Sequence, residues 1–316
     1  VKYLIIDKRP RVKVKGVTGY PTAVKRLQEE LDKKGLPHDF AYNDQIEFYI
    51  TSGETHVRFN GKEIQEYSHI IFRGHTLHKP RQYQLKRLII DWCEQYNTTH
   101  LDGKILVQNS NAIKNMPYYN KIHTAQLCAT HKIPYLDTYY RTDGDYDKER
   151  DIFNNYPYII KEYAGINRLQ RKLKGIVVKK NVYKLENIKD LKQKNLKDMD
   201  LKDFFIQEFI EEPCDIRTFI QNGKLVGGWK REAKSGFMSV NKGNYQMYNE
   251  PEKEIVDIAE KFANILQADF IAVDFMFKDN KPYIQEISLH PGFKAYETKI
   301  EDGEPINIAK TIIESF

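Results

Sequence analysis

The sequence predicts an α/β protein: an amino-terminal open α/β sheet followed by two α+β lobes. Three observations carry this. Strand-like and helix-like patterns alternate over residues 1–115. Two apolar strand pairs with strong turn signals crowd the carboxy-terminal third. Between them, residues 116–203 hold a helix and two apolar strands around a long basic loop. The 316 residues suffice for that number of units, and we expect boundaries at 1–115, 116–203 and 204–316.

In the first unit, Tyr3 to Ile6 reads as a strand. Ala23, Val24, Leu27 and Leu31 recur at helical spacing, with Gly35 as a stop. A short apolar run, His69-Ile-Ile-Phe72, precedes a second helix marked by Leu85, Leu88, Ile89 and Trp92, and Ile105 to Val107 gives a further strand. That order suggests an open α/β sheet. In the second unit a helix carries Lys121, His123, Leu127 and Cys128 and ends near Ile133-Pro134, because the residue before proline disfavours helix. Tyr158 to Lys161 and Gly175 to Lys179 follow as strands. The Lys- and Asp-rich stretch 184–203 reads as one or two solvated surface helices. In the third unit, Asp215 to Ile220 and Lys224 to Trp229 flank Asn222-Gly223, the strongest short hairpin signal. Glu254 to Leu266 is an amphipathic helix, and a last helix is expected near Ile306 to Ile313.

Hydrophobic residues make up 41% of the chain and charged residues 30%, which excludes a disordered protein. The net charge of +6 suits a protein that handles anions, but the basic residues are interleaved with acids, which argues against nucleic acid as a partner. No apolar run approaches the ~20 residues of a membrane span. Val1 to Asp7 is too short for a signal-peptide core and reads as a strand. Cys93, Cys128 and Cys214 are odd in number and far apart, so a reducing, cytoplasmic setting is expected. His75 and His78 have no cysteine near them, which argues against zinc.

The most informative pair is Asp274 and Glu286. They lie in Phe270 to Phe277 and Tyr283 to Ser288, apolar runs joined by the turn Lys278-Asp-Asn-Lys281. Residues two apart on a strand share a face, so Glu286 and Ser288 point one way and Asp274 can face them. Two carboxylates on an apolar hairpin repel unless something positive lies between them. Oxygen ligands suit Mg²⁺, which takes one or two carboxylates plus substrate phosphates. The alternative reading is a pair of solvated strand charges.

Other candidates are individually ambiguous. Lys161 ends an apolar strand and can hold a phosphate as a point charge, or it is a lysine snorkelling from a strand end. Lys121, at a helix start, poses the same choice. Gln207-Glu208-Phe209-Ile210 leaves a strand, where free backbone groups can read an adenine edge, and Asp215 follows; an acidic surface loop is the alternative. Arg217 is two residues from Asp215, so both can face one side. Arg231 follows the strand holding Trp229. A guanidinium there would stabilise charge on a transferring phosphoryl group, unless both are merely exposed hairpin arginines.

In this order, the pieces resemble the ATP-grasp superfamily, and most closely the RimK-like amino-acid ligases. The resemblance covers nearly the whole chain. It runs through Ile70-Ile-Phe-Arg73-Gly74, Val107 to Ile113, Asn120-Lys121, Ile159-Ile-Lys161, Gln207 to Ile210, Asp215-Ile-Arg217, Lys230 to Lys234, Asn241-Lys-Gly243, Val273-Asp274 and Gln285 to Ser288, with Pro291-Gly292 behind. It implies an ATP-grasp fold with a pre-grasp domain, and an ATP-dependent carbon–nitrogen ligase working through an acyl phosphate. It implies nucleotide contacts from Lys121, Lys161, Gln207, Glu208, Phe209, Ile210, Asp215, Ser239 and Asn241. Catalytic charge would come from Arg231 and Arg217. The metal, Mg²⁺ or alternatively Mn²⁺, would sit on Asp274, Glu286 and Ser288. The partners implied are ATP, a carboxylate substrate and an amine substrate that is an amino acid, a peptide or a protein tail; a homo-oligomer is compatible with the sequence.

Two departures stand out. The family's small glycine-rich loop after the second lysine is here longer, bulky and basic, with Arg168, Arg171, Lys172 and Lys174. Side-chain cations would then replace backbone N–H groups over the phosphates, or the loop would serve an acidic substrate. Ser288 stands where the family usually has Asn, a weaker Mg²⁺ ligand, which leaves the number of metals open. Two rival readings are a ligase that tailors a ribosomal precursor peptide and a nucleotide-binding scaffold without turnover.

Overall fold

The computed structural model describes residues 1–9, 22–74, 80–116, 121–146, 157–163, 169–172, 175–178, 182–192, 196, 200–211, 214–233, 243–299 and 304–316. Ser239, Asn241, Arg168, Lys174, His75 and His78 lie outside them.

Tyr3–Asp7 is buried along its whole length and is central in a four-stranded parallel sheet. Its neighbours are His38–Tyr42 on one side and His69–Phe72 on the other, with Leu106–Val107 at the far edge. A strand buried on both faces carries no polar alternation, which is why its sequence is continuously apolar. The helix Thr22–Lys33 buries Val24, Leu27 and Leu31, and Gly35 follows it at φ +64°. The helix Pro80–Thr99 covers the opposite face. A small antiparallel sheet, Ile46–Ile50, Thr55–Phe59 and Lys62–Glu63, was not anticipated from the sequence.

A second sheet is antiparallel, in the order Val182–Leu185, Tyr158–Glu162, Phe204–Glu208, Thr138–Tyr139. The helix Lys121–Thr130 precedes it. The expected surface helices over 184–203 are not there. Val182–Leu185 is an edge strand, Ile188–Lys192 and Leu201–Asp203 are 3₁₀ turns, and Leu185, Leu191 and Leu196 are buried against Ile160 and Phe204. Lysine and aspartate density masked the spaced leucines that close this lobe. Within the basic loop the backbone forms a hairpin, Leu169–Lys172 with Gly175–Val178.

The third sheet is antiparallel, in the order Gly243–Met247, Lys224–Ala233, Cys214–Gln221, Phe270–Lys278, Lys281–Ser288. Both tight hairpins have positive φ at their central residues, Asn222 and Gly223 in one, Asp279 and Asn280 in the other. That twist matches the flanking strands, so the turn residues set the pairing. The helix Lys253–Leu266 lays Ile255, Ala259, Phe262 and Leu266 on Ile271, Val273 and Phe275. The opposite face of the same strand, Phe270 and Ala272, packs with Phe219, Trp229, Phe293 and Tyr296.

Asn109 fastens the first sheet to the third. Its side chain bridges Phe270 N (3.0 Å), Phe270 O (2.7 Å) and Leu289 O (2.9 Å). Arg26 adds a second tie, donating to Glu297 at 2.8 Å. No helix among the described residues is long and apolar enough to cross a membrane.

Candidate active site

Asp274 occupies the face of its strand that also carries Phe270 and Ala272, where that face runs out of core. Its register partner on one side is Glu286 and on the other Arg217. The expected hairpin pairing therefore holds, with a bulge immediately after Asp274. Ser288 pairs with Ala272, two residues along on the same face as Glu286.

The positive charge between the carboxylates is supplied by side chains. Arg217 grips Asp274 in a bidentate fork, Nε to Oδ1 at 2.7 Å and Nη2 to Oδ2 at 2.7 Å. Lys121 Nζ lies 3.1 Å from Glu286 Oε2. Lys121 is carried there because its N–H donates to Tyr163 O (2.8 Å), pinning the helix start to the exit of the Tyr158–Glu162 strand. Lys161, the fourth residue of that strand, is buried, with Nζ 5.3 Å from the Phe205 ring. It does not snorkel to the surface.

Burial pushes the Lys161 ammonium down to about 7, Lys121 repels it further, and Glu286 opposes both. The Glu286 side chain is 45% exposed. Surrounding protein pushes its carboxyl up, but Lys121, then Lys161 and Arg217, outweigh that and hold it below the usual carboxylate range. Burial lowers the affinity of Arg217 for its proton, yet Asp274 more than compensates, so the guanidinium stays charged.

Arg231 pairs with Asp215 in a second bidentate fork, through Nε (2.9 Å) and Nη2. Burial raises the Asp215 carboxyl despite Arg231. Asp215 and Arg217 do share a face, as their spacing implies, but each takes a partner from a different neighbouring strand.

The Gln207–Ile210 segment lies at the end of the second sheet, apart from this cluster. Gln207 Nε2 donates to Thr138 Oγ1 at 2.8 Å, and Glu208 Oε1 meets Lys278 Nζ at 2.6 Å. Phe209 lies under Lys184 (4.4 Å), and Ile210 is half-buried. Tyr135 connects the two places. It hydrogen-bonds Gln207, feels the charge of Glu286, and its hydroxyl lies 3.4 Å from Lys121 O. Sequence reasoning missed Tyr135, whose only signal is an aromatic residue directly after Ile133-Pro134.

The donor set fits a hard cation. No cluster of three His, Cys, Asp or Glu side chains occurs among the described residues. Asp274 and Glu286 supply oxygens only, and Ser288 Oγ beside them is buried without a hydrogen-bond partner. Mg²⁺ asks for one or two carboxylates and completes its shell with waters and substrate phosphates. Asp274 already accepts two hydrogen bonds from Arg217 and would offer a cation its remaining lone pairs.

A family model of the RimK-like ATP-grasp domain matches residues 119–316. The chain belongs to the RimK-like ATP-grasp family. It is accordingly an ATP-dependent ligase. The RimK-like chain is 25% identical over 288 residues to a probable alpha-L-glutamate ligase of Vibrio vulnificus (strain YJ016), covering 86% of this chain and 85% of that protein. Among solved structures it superposes on the ATP-grasp ligase PsnB complexed with minimal precursor, with a TM-score of 0.65 and 15% identity, covering 99% of this chain and 98% of PsnB. The macrocyclase MdnC bound with precursor peptide MdnA from Microcystis aeruginosa MRC gives a TM-score of 0.66 at 13% identity, covering 98% of each chain. Both structural likenesses bear out the ATP-grasp fold expected from the sequence.

Proposed function

We propose that this RimK-like ligase joins a carboxylic acid to an amine as an amide, using ATP and Mg²⁺ and passing through an acyl phosphate. One observation carries the reading. Lys121, Lys161 and Arg217 converge on a register-matched carboxylate pair, Asp274 and Glu286, with the unsatisfied Ser288 hydroxyl beside it. Cations that interleave with carboxylates in one cleft can bind a triphosphate and its metal without a large net change in local charge.

In this reading Lys121 and Lys161 hold the phosphates as point charges. Gln207, Glu208, Phe209 and Ile210 face the adenine and ribose, with Asp215, Ser239 and Asn241 completing the nucleotide contacts. Asp274, Glu286 and Ser288 hold Mg²⁺, which when bound neutralises phosphate charge; Mn²⁺ would satisfy the same oxygens. The substrate carboxylate attacks the γ-phosphoryl group, and Arg217 and Arg231 stabilise the charge on the transferring oxygens. The amine then displaces phosphate. The division at 1–115, 116–203 and 204–316 belongs to the same proposal, as does a cytoplasmic setting, supported by Cys93, Cys128 and Cys214, none of which is joined in a disulfide.

A second reading is peptide tailoring on a ribosomal precursor, favoured by the precursor peptides in the PsnB and MdnC complexes. Incubation with ATP, Mg²⁺ and an amino-acid panel, read by ADP release and mass spectrometry, tests the proposal. A product one water lighter than the sum of its parts supports it. ADP release that stays at background with every acid and amine, peptides included, sinks the ligase reading.

A further inference from the structure

A second buried charged cluster lies outside the site just described. It sits where the strand order of the parallel sheet reverses. From Tyr3–Asp7 the chain moves to His38–Tyr42 on one side, and His69–Phe72 then enters on the other. In open parallel sheets the crevice beyond the carboxyl ends of such strands is where ligands bind. Asp7 ends one of these strands and Arg73 follows the other, with Arg73 N donating to Ile6 O at 2.7 Å. Lys86 enters from the helix Pro80–Thr99.

Arg73 and Lys86 are 2% and 1% exposed. Arg73 Nη2 donates to Pro291 O at 2.6 Å, and its Nε is buried with no partner. Lys86 Nζ lies 3.3 Å from His290 Nε2. Among the described residues neither cation has a carboxylate within salt-bridge distance. Asp7 acts on both only from further away, its Oδ1 already accepting Lys8 N at 2.6 Å. Two buried cations therefore face one buried carboxylate. Burying a charge without a partner costs several kcal/mol. Burial, followed by repulsion from Arg73 and Lys8, pushes the Lys86 ammonium down to about 7 although Asp7 opposes this. Among the described residues, Asp7 is the one anion acting on this pair.

We propose that Arg73 and Lys86, beside His290, form a subsite for a carboxylate of the amino-acid substrate, one that does not itself react. The inference rests on the ligase reading. His290 is only two residues beyond Ser288, so this cluster adjoins the carboxylate hairpin. It is nevertheless distinct from the phosphate cations, because Lys121 and Lys161 converge on Glu286, whereas Arg73 and Lys86 converge on Pro291 and His290. A planar guanidinium with a free Nε and an adjacent ammonium match the two oxygens of a carboxylate. A substrate held here would present its other end to the phosphoryl group.

The test uses Lys86→Met, which keeps the length of the side chain and removes a buried charge. L-glutamate is titrated by calorimetry into the full chain holding ADP and Mg²⁺, with inorganic phosphate titrated in parallel. The expected result has three parts. L-glutamate binding weakens about tenfold or more, the loss of one charge-assisted hydrogen bond. ADP affinity is unchanged, and the melting temperature is equal or higher. A structural latch would instead lose stability and leave L-glutamate binding intact, and that outcome overturns the proposal. So does a wild-type chain that binds ADP and Mg²⁺ but not L-glutamate, or a Lys86→Met effect seen with phosphate alone. Failure of the ligase reading is separately visible, as absence of ADP binding and release.

Discussion

Arg217 and Asp274, 57 residues apart in sequence, meet through two parallel hydrogen bonds of 2.7 Å each. The guanidinium carbon also lies 5.7 Å from the centre of the Trp229 ring. One cation is thus fixed by a carboxylate in its plane and an aromatic face beside it. It stands on the strand that also carries Asp215, between the strands that deliver Asp274 and Arg231, so the acidic hairpin is met by a counter-charge from its neighbour.

Arg217→Ala should expose the Asp274–Glu286 repulsion. With both partners largely buried, breaking the pair is expected to cost about 3 kcal/mol of unfolding free energy. Adding Asp274→Ala should recover part of it. Mg²⁺ should stabilise Arg217→Ala more than the wild type, since a divalent cation replaces the guanidinium. Urea denaturation with and without MgCl₂ reads all three; equal Mg²⁺ effects in wild type and variant would contradict the shared-site geometry.

Asp274→Asn and Glu286→Gln keep shape and remove charge. Each should lower Mg²⁺-dependent ADP formation about a hundredfold or more while the protein stays folded. Far-UV circular dichroism checks the fold. Full activity of either variant at limiting Mg²⁺ would remove that residue from the metal site.

Lys161 gives a pH dependence with a definite sign. Its folded value, about 7, lies below the 10.5 of a free lysine. Between these values the unfolded chain binds the extra proton, so stability rises with pH across that window, and the burial penalty is fully present below about 7. Triphosphate would restore the charge, so ATP binding at pH 8 should take up a proton. Calorimetry in buffers of different ionisation enthalpy measures this uptake, which should shrink in Lys161→Met together with ATP affinity. Undiminished uptake in the variant would assign the proton elsewhere.

Gly228 lies against the strand that carries Arg217. A Cβ there would fall 2.7 Å from Tyr248 O and 2.8 Å from Arg217 O, both backbone atoms that cannot move without shifting a strand. Gly228→Ala should destabilise by about 1–3 kcal/mol and lower activity through Arg217. Thermal denaturation together with an ADP-release assay tests it, and a melting temperature equal to wild type would show that the sheet yields there freely.

The sequence alone determined what local physics controls. Period-two alternation and the Asp279-Asn280 turn placed Asp274 opposite Glu286, because a hairpin's register follows from its turn and its buried face. Helical spacing likewise exposed the buried faces of Thr22–Lys33 and Lys253–Leu266. Only the tertiary structure decided which cation serves which carboxylate. Arg231 goes to Asp215, Arg217 to Asp274 and Lys121 to Glu286, pairings between residues 16, 57 and 165 apart. Spacing leaves all of them open, since charge pairing depends on distance in space and carries no periodicity. The same holds for the burial of Lys161 and for the Arg73–Lys86 cluster, whose members come from separate elements of the chain. The leucines of 185–196 were hidden for a related reason. They close their lobe from an edge strand and short 3₁₀ turns, where no 3.6-residue repeat marks the buried side.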